Sequence, residues 1–128
     1  MTKVAAAVLV RDGRVLICRR PEGKAQGGLW EFPGGKLEPG ETPEICLARE
    51  LYEELGIHVS VGEVYAVTRF AYPERTIDFT FLRCSLPEGE PLPLEHSRIC
   101  WVPPHELKDY TFCPADVEIA GRIQKEGL

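Results

Sequence analysis

The stretch from Gly35 to Ile57 reads GKLEPGETPEICLARELYEELGI. It fulfils every fixed position of the pattern G-x5-E-x7-R-E-U-x-E-E-x-G-U, where U is a bulky aliphatic residue. At average residue usage, a chance match at its invariant positions is on the order of one in a billion per starting point. The segment predicts a helix. Thr42 can accept a hydrogen bond from a free amide, and Pro43 suits the first helical position, where no N–H is needed. Gly56 ends the helix, because glycine tolerates the left-handed conformation past the last turn. At about 100° per residue, Leu47, Leu51, Leu55, Ala48, Tyr52 and Ile45 fall on one arc, expected to face the core. Glu50, Glu53 and Glu54 fall on a second arc.

That second arc is costly for a bare helix. Glu50 and Glu54 form a like-charge i,i+4 pair worth about 0.2–0.5 kcal/mol of destabilisation, and Glu50 with Glu53 adds an i,i+3 pair. All three glutamates sit near the C-terminal end, where the helix dipole favours Lys or Arg instead. A divalent cation would offset the repulsion. Mg²⁺ or Mn²⁺ takes oxygen ligands and is held by a few carboxylates together with substrate phosphates. A merely solvated acidic face is the plain alternative, and the spacing of Gly35, Glu41, Arg49 and Gly56 weighs against it.

The segments outside this helix fill out an α/β pattern. Lys3–Val10 and Arg14–Arg19 read as strands joined by Asp12-Gly13, a strong hairpin signal. Pro21–Gly28 reads as a mobile loop. Leu29–Phe32 is expected as a short strand, with a turn at Pro33, Gly34 and Gly35. Val59–Tyr72 and Thr76–Leu86 read as two longer strands; in the second, Ile77, Phe79 and Phe81 alternate with Asp78, Thr80 and Leu82. Pro87–Glu95 is a loop, Ile99–Val102 a brief strand and Pro104–Leu107 a helical turn, and Pro114 opens a final helix to about Lys125. This order predicts a mixed sheet with helices on both faces.

Composition narrows the class. A chain of 128 residues suits a single domain, residues 1–128. A net charge of −5 argues against a broad grip on a nucleic acid polymer. Cys18, Cys46, Cys84, Cys100 and Cys113 form no C-x-x-C pair and are expected as reduced thiols. Neither a signal peptide nor a bilayer-length apolar run is seen, so the expectation is a cytoplasmic protein without a membrane partner.

The quoted stretch, together with Arg19-Arg20, Trp30-Glu31-Phe32-Pro33-Gly34-Gly35-Lys36 and Pro114-Ala115-Asp116, resembles the Nudix family and most closely its MutT-type branch. The resemblance implies an α/β/α sandwich with a mixed β-sheet. It also implies Mg²⁺- or Mn²⁺-dependent hydrolysis of small-molecule nucleoside triphosphates to monophosphate and pyrophosphate, by a monomer or homodimer. By that likeness Glu54 and the Gly34 carbonyl hold the metal, with Glu50 and Glu53 as further ligands, and Arg49 orients the carboxylates. Glu41 matches a further position, read as structural. Arg20, Glu31, Phe32, Pro33, Gly34, Lys36 and Asp116 are the expected substrate-binding residues.

Several roles have two readings. The proton from the attacking water goes to Glu50, Glu53 or the loop residue Glu95, which could otherwise cap a surface turn. Arg20 either grips phosphate or is an edge-strand charge, and Lys36 either meets phosphate or is solvated. Trp30, Phe32, Phe70, Phe79 and Phe81 are core by composition, with one of them free to stack on a base. Asp116 stands where MutT-type sanitisers can place an asparagine. An ionised aspartate only accepts, which favours a base edge rich in donors such as cytosine, while a protonated one could also donate. Its plain alternative is a first-turn charge on the helix dipole. Ala25 stands where some relatives place a substrate-loop histidine. Two other functions remain in view: an ADP-ribose or dinucleotide pyrophosphatase, and a non-catalytic nucleotide-binding module of the same fold.

Overall fold

The computed structural model describes residues 2–128. Strands Thr2–Arg11 (β1) and Arg14–Arg19 (β2) form the expected hairpin. Asp12 and Gly13 carry it at φ 53° and 75°, left-handed values suited to a tight two-residue turn. Trp30–Glu31 (β3) and Gly34–Lys36 (β4) follow, then the helix Pro43–Leu55 (α1). Strands Ser60–Ala71 (β5) and Thr76–Ser85 (β6) pair antiparallel and lead to Arg98–Val102 (β7). A 3₁₀ segment at Pro104–Asp109 and a second at Pro114–Asp116 precede the last helix, Val117–Glu126 (α2).

The sheet runs β3-β2-β1-β6-β5, with β4 paired to β1 and β7 to β2. β1 and β6 are parallel and the other pairs antiparallel, so the sheet is mixed as expected. Alternation along β1 divides the core in two. Ala5, Ala7 and Leu9 meet Leu47, Leu51 and Leu55 of α1, whereas Ala6 and Val8 meet Phe79, Phe81, Ile119 and Ile123 on the α2 side. Both faces of the sheet are therefore covered, which is the α/β/α sandwich. Leu82, on the opposite face of β6 from Phe79 and Phe81, is fully buried under α1.

Three local expectations are corrected. Gly34 and Gly35 do not turn the chain but continue it as β4, with Gly34 opposite Ala6 and Gly35 opposite Ala5. A β-carbon on residue 34 would lie 2.7 Å from the Ala6 Cα, so only glycine fits this close approach. The buried face of α1 is rotated from the predicted arc: Cys46 is buried, while Ala48 is exposed, and Ile45 and Tyr52 are 56% and 54% exposed. The rotation brings the Cys46–Glu50–Glu54 row towards the sheet. Residues 21–28 are held by their own turns, including Gly27 N–H to the Lys24 carbonyl at 2.9 Å and Gly28 N–H to that of Arg20 at 2.9 Å. The segment is a loop, as read. The last helix also differs in detail, opening with a 3₁₀ turn before α2.

Candidate active site

The caps of α1 are those predicted. Thr42 Oγ1 accepts from the Ile45 N–H at 3.2 Å, and Gly56, at φ 67°, donates to the Tyr52 carbonyl. Between them Arg49 gathers the acids. Its Nε and Nη2 donate to Glu41 at 2.7 and 2.8 Å, and Nη1 donates to Glu50 and Glu53, both at 2.9 Å. Nη2 also reaches the Lys36 carbonyl at 3.2 Å, tying α1 to β4. Glu41 in turn accepts from the Glu38 amide at 2.8 Å. The Arg49 hydrogen bond, aided by that amide, holds Glu41 down at about 2. Glu41 is thus a structural anchor for Arg49, as read from sequence.

Glu54 is placed differently. It points from α1 into a cleft, and its Oε1 is buried with no hydrogen-bond partner. Burial, a hydrogen bond shared with Glu50, and the charges of Glu50, Glu31 and Glu95 all push its carboxyl well above the ordinary carboxylate range. Among the described residues no cation of the protein bonds it. An orphaned carboxylate oxygen amid surplus negative charge fits a hard divalent cation with oxygen ligands.

The cleft has a volume of about 420 Å³, and Glu54, Glu95 and Asp116 are on its wall. Of the expected substrate-binding residues, Arg20, Glu31, Phe32, Gly34, Lys36 and Asp116 line it. Pro33 does not: it is buried, and its carbonyl accepts from the Ala7 N–H at 2.8 Å. Arg49, Glu50 and Glu53 stand beside the cleft rather than on its wall. Arg20 is already engaged, donating to the Ala25 carbonyl at 2.7 Å and to Glu31 at 3.2 Å. Lys24 and Arg75 bring further positive charge to the wall.

Asp116 is the buried acid of the cleft wall. It is only 5% exposed, and its Oδ1 accepts from the Phe32 N–H at 3.4 Å. Burial first and the Glu31 charge second push its carboxyl up to about 8, against the pull of the Phe32 amide and Arg20. It stands at the N-cap of α2 but caps no amide of its own helix. Cys113 Sγ, Asp116 and Glu31 have ligand atoms within 4.8 Å of one another. Burial and those two acids push the Cys113 thiol up to about 12, so it stays protonated. Trp30, Phe32, Phe79 and Phe81 are buried core, with Phe32 stacked on Phe112 at 5.5 Å; Phe70 is partly buried against them. All five cysteines are free thiols.

Sequence reasoning gave no site role to His96, Cys113, Lys24 or Arg75, all of which line the cleft. His96 Nε2 lies 3.0 Å from Glu31 Oε2, with the side chain 6% exposed. Its signal was its place directly after Glu95, the acid singled out in that loop.

With the acid-bearing helix, the glycine strand and the cleft in place, comparison with known proteins is decisive. The NUDIX domain matches residues 1–121. The chain belongs to the Nudix family. Nudix hydrolases use a divalent metal and act on small nucleotide substrates. Over 119 residues the chain is 40% identical to the CTP pyrophosphohydrolase of Escherichia coli, covering 93% of this chain and 88% of that one. It is 38% identical over 125 residues to the 8-oxo-dGTP diphosphatase of Haemophilus influenzae, covering 97% and 92%. The solution structure of the E. coli ORF135 protein superposes with a TM-score of 0.84 at 38% identity, over 98% of this chain and 89% of that one. The Methanosarcina mazei MutT protein gives 0.84 at 26% identity, over 98% and 94%. The Nudix fold is confirmed throughout. No helix among the described residues is long and apolar enough to cross a membrane.

Proposed function

We propose that this Nudix protein is a Mg²⁺-dependent pyrophosphohydrolase of nucleoside triphosphates, built on one domain and releasing monophosphate and pyrophosphate. Cytosine nucleotides and oxidised purine nucleotides are its substrate classes. The observation that carries the reading is the cleft itself, whose wall holds both the orphaned Glu54 carboxylate and the buried Asp116. The named activities of the E. coli and H. influenzae relatives, CTP pyrophosphohydrolase and 8-oxo-dGTP diphosphatase, support the same two classes.

Glu54, with Glu50, Glu53 and the Gly34 carbonyl, would hold the Mg²⁺ or Mn²⁺. When bound, such an ion neutralises phosphate oxygens and acidifies water, a contribution of several kcal/mol. Arg49 keeps Glu50 and Glu53 aimed by its fixed fork of donors. Glu95 lines the cleft, whereas Glu50 and Glu53 are bonded to Arg49, so Glu95 is the acid free to take the water proton. The water oxygen bonds to phosphorus as the bond from that phosphorus to the bridging oxygen breaks. The electron pair leaves with that bridging oxygen. Lys36, with the Nη2 of Arg20, whose Nε and Nη1 are bonded to Ala25 and Glu31, would contact the phosphates.

Asp116 would read the base. Ionised, it accepts from the amino group of cytosine or from the N1 and amino donors of guanine, and protonated it can also donate. The test is a screen of CTP, dCTP, 5-methyl-dCTP and 8-oxo-dGTP against ADP-ribose and dinucleotides. The proposal expects turnover of the triphosphates to exceed that of the diphosphate-bridged compounds. The reverse order would move the chain to the second enzymatic reading.

A further inference from the structure

In the loop that carries Glu95, Pro91 is buried, but the apolar residues nearer Glu95 pack little. Leu92 and Leu94 are 56% and 57% exposed, and Glu95 and Ser97 are exposed as well. Polar anchors must therefore set its position. Leu92 N–H donates to the Leu55 carbonyl at 2.9 Å and Leu94 N–H to that of Glu54 at 3.2 Å, which fixes one side of Glu95 to the last turn of α1. On the other side Ser97 N–H donates to the Arg19 carbonyl at 3.0 Å, and His96 Nε2 lies 3.0 Å from Glu31 Oε2. Glu95 is the single residue between these two sets of anchors.

The His96 anchor is directional. Arg20 Nη1 donates to the Glu31 carboxylate, which, paired in this way, accepts from the ring as well. His96 is then the donor through Nε2. Among the described residues its Nδ1 is buried with no partner, and Glu31 is the ring's one hydrogen-bonded anchor.

We propose that His96 is the positioning residue of this site: by donating from Nε2 to Glu31 it holds the adjacent Glu95 at the diphosphate end of the cleft. The inference rests on the assignment of Glu95 as proton acceptor in the proposed reaction. It assigns the Glu31 carboxylate a second task, bridging Arg20 at the end of β2 and the loop before β7. Removing the ring leaves the Arg20 bonds to Glu31 and Ala25 in place, so the placement of the accepting carboxylate is lost before substrate affinity.

The test compares His96→Ala with His96→Gln, whose amide can still donate near the Nε2 position. His96→Ala should lower kcat by about tenfold or more, the scale seen when a supporting hydrogen bond to a functional group is removed. KM for the triphosphate should change less than about threefold, and His96→Gln should recover most of the kcat. Amide hydrogen exchange at Leu94 and Ser97 should rise in His96→Ala and return towards the parent rate in His96→Gln. Should His96→Ala not fold, His96→Asn fills the space with an amide too short to reach Glu31 and takes its place. An unchanged kcat, a failure of glutamine to rescue, or a kcat loss matched by an equal rise in KM would each overturn the inference. A parent protein inactive on every triphosphate refutes the proposed function instead, and exchange at Leu94 and Ser97 then still decides whether His96 anchors the loop.

Discussion

The Glu50 carboxylate fills the space that a side chain on Gly35 would need: a β-carbon there would fall 2.6 Å from Glu50 Oε2. The glycine opening the Nudix motif and the first glutamate of its acidic trio are thus one packing unit. Gly35→Ala pushes a side-chain tip, which can swing away, whereas Gly34→Ala drives into the backbone of β1. The expected result is a folded Gly35→Ala protein with thermal midpoint close to the parent and pyrophosphate release down by about tenfold or more. Gly34→Ala should instead show a lowered midpoint. Equal thermal losses in the two variants would contradict the assignment.

Arg49 holds three carboxylates with donors at fixed angles, a task one ammonium cannot repeat. Arg49→Lys is expected to cut kcat by about 10–100-fold and to raise the Mg²⁺ concentration needed for half-maximal rate. A metal titration of steady-state rates checks both. A lysine variant with the parent's metal dependence would reduce Arg49 to a surface charge.

Asp116 predicts a pH dependence with a definite sign. Its carboxyl sits at about 8 when folded against an ordinary 3.8, so between those values the folded state binds the extra proton. Stability from this group is complete below about 3.8 and is lost as pH rises through about 8. Asp116→Asn keeps an acceptor for the Phe32 amide and cannot ionise. Its thermal midpoint relative to the parent should therefore climb from pH 5 to pH 8, while the upward shift of Glu54 cancels in the difference. A flat difference would show that burial does not control Asp116. In turnover, Asp116→Ala should reorder the nucleotides more than it slows the best one.

The sequence made the helix caps, the hairpin, the two long strands and the acidic arc legible because each rests on local rules: a capping threonine, Asp-Gly, alternation, and spacing along one helix. What it could not show depends on contacts distant in the chain. Gly34 and Gly35 read as a turn because glycine pairs commonly turn, and only the approach of β1 and Glu50 makes them a strand. Ile45 and Tyr52 fit a core arc by angle, yet the helix rolled to bury Cys46 against the Gly35 carbonyl. His96 meets Glu31 across 65 positions of sequence, a pairing with no local trace beyond its neighbour Glu95.

The central claim is that Glu54 marks the metal end of a site that splits a triphosphate at its α–β bridge. The direct measurement is the product pattern from CTP and 8-oxo-dGTP with Mg²⁺, resolved into monophosphate plus pyrophosphate or diphosphate plus orthophosphate, for the parent and for Glu54→Gln. The account predicts monophosphate and pyrophosphate from the parent, none without the metal, and loss of both products in Glu54→Gln. Orthophosphate as the product, or turnover by Glu54→Gln at the parent's rate, would contradict it.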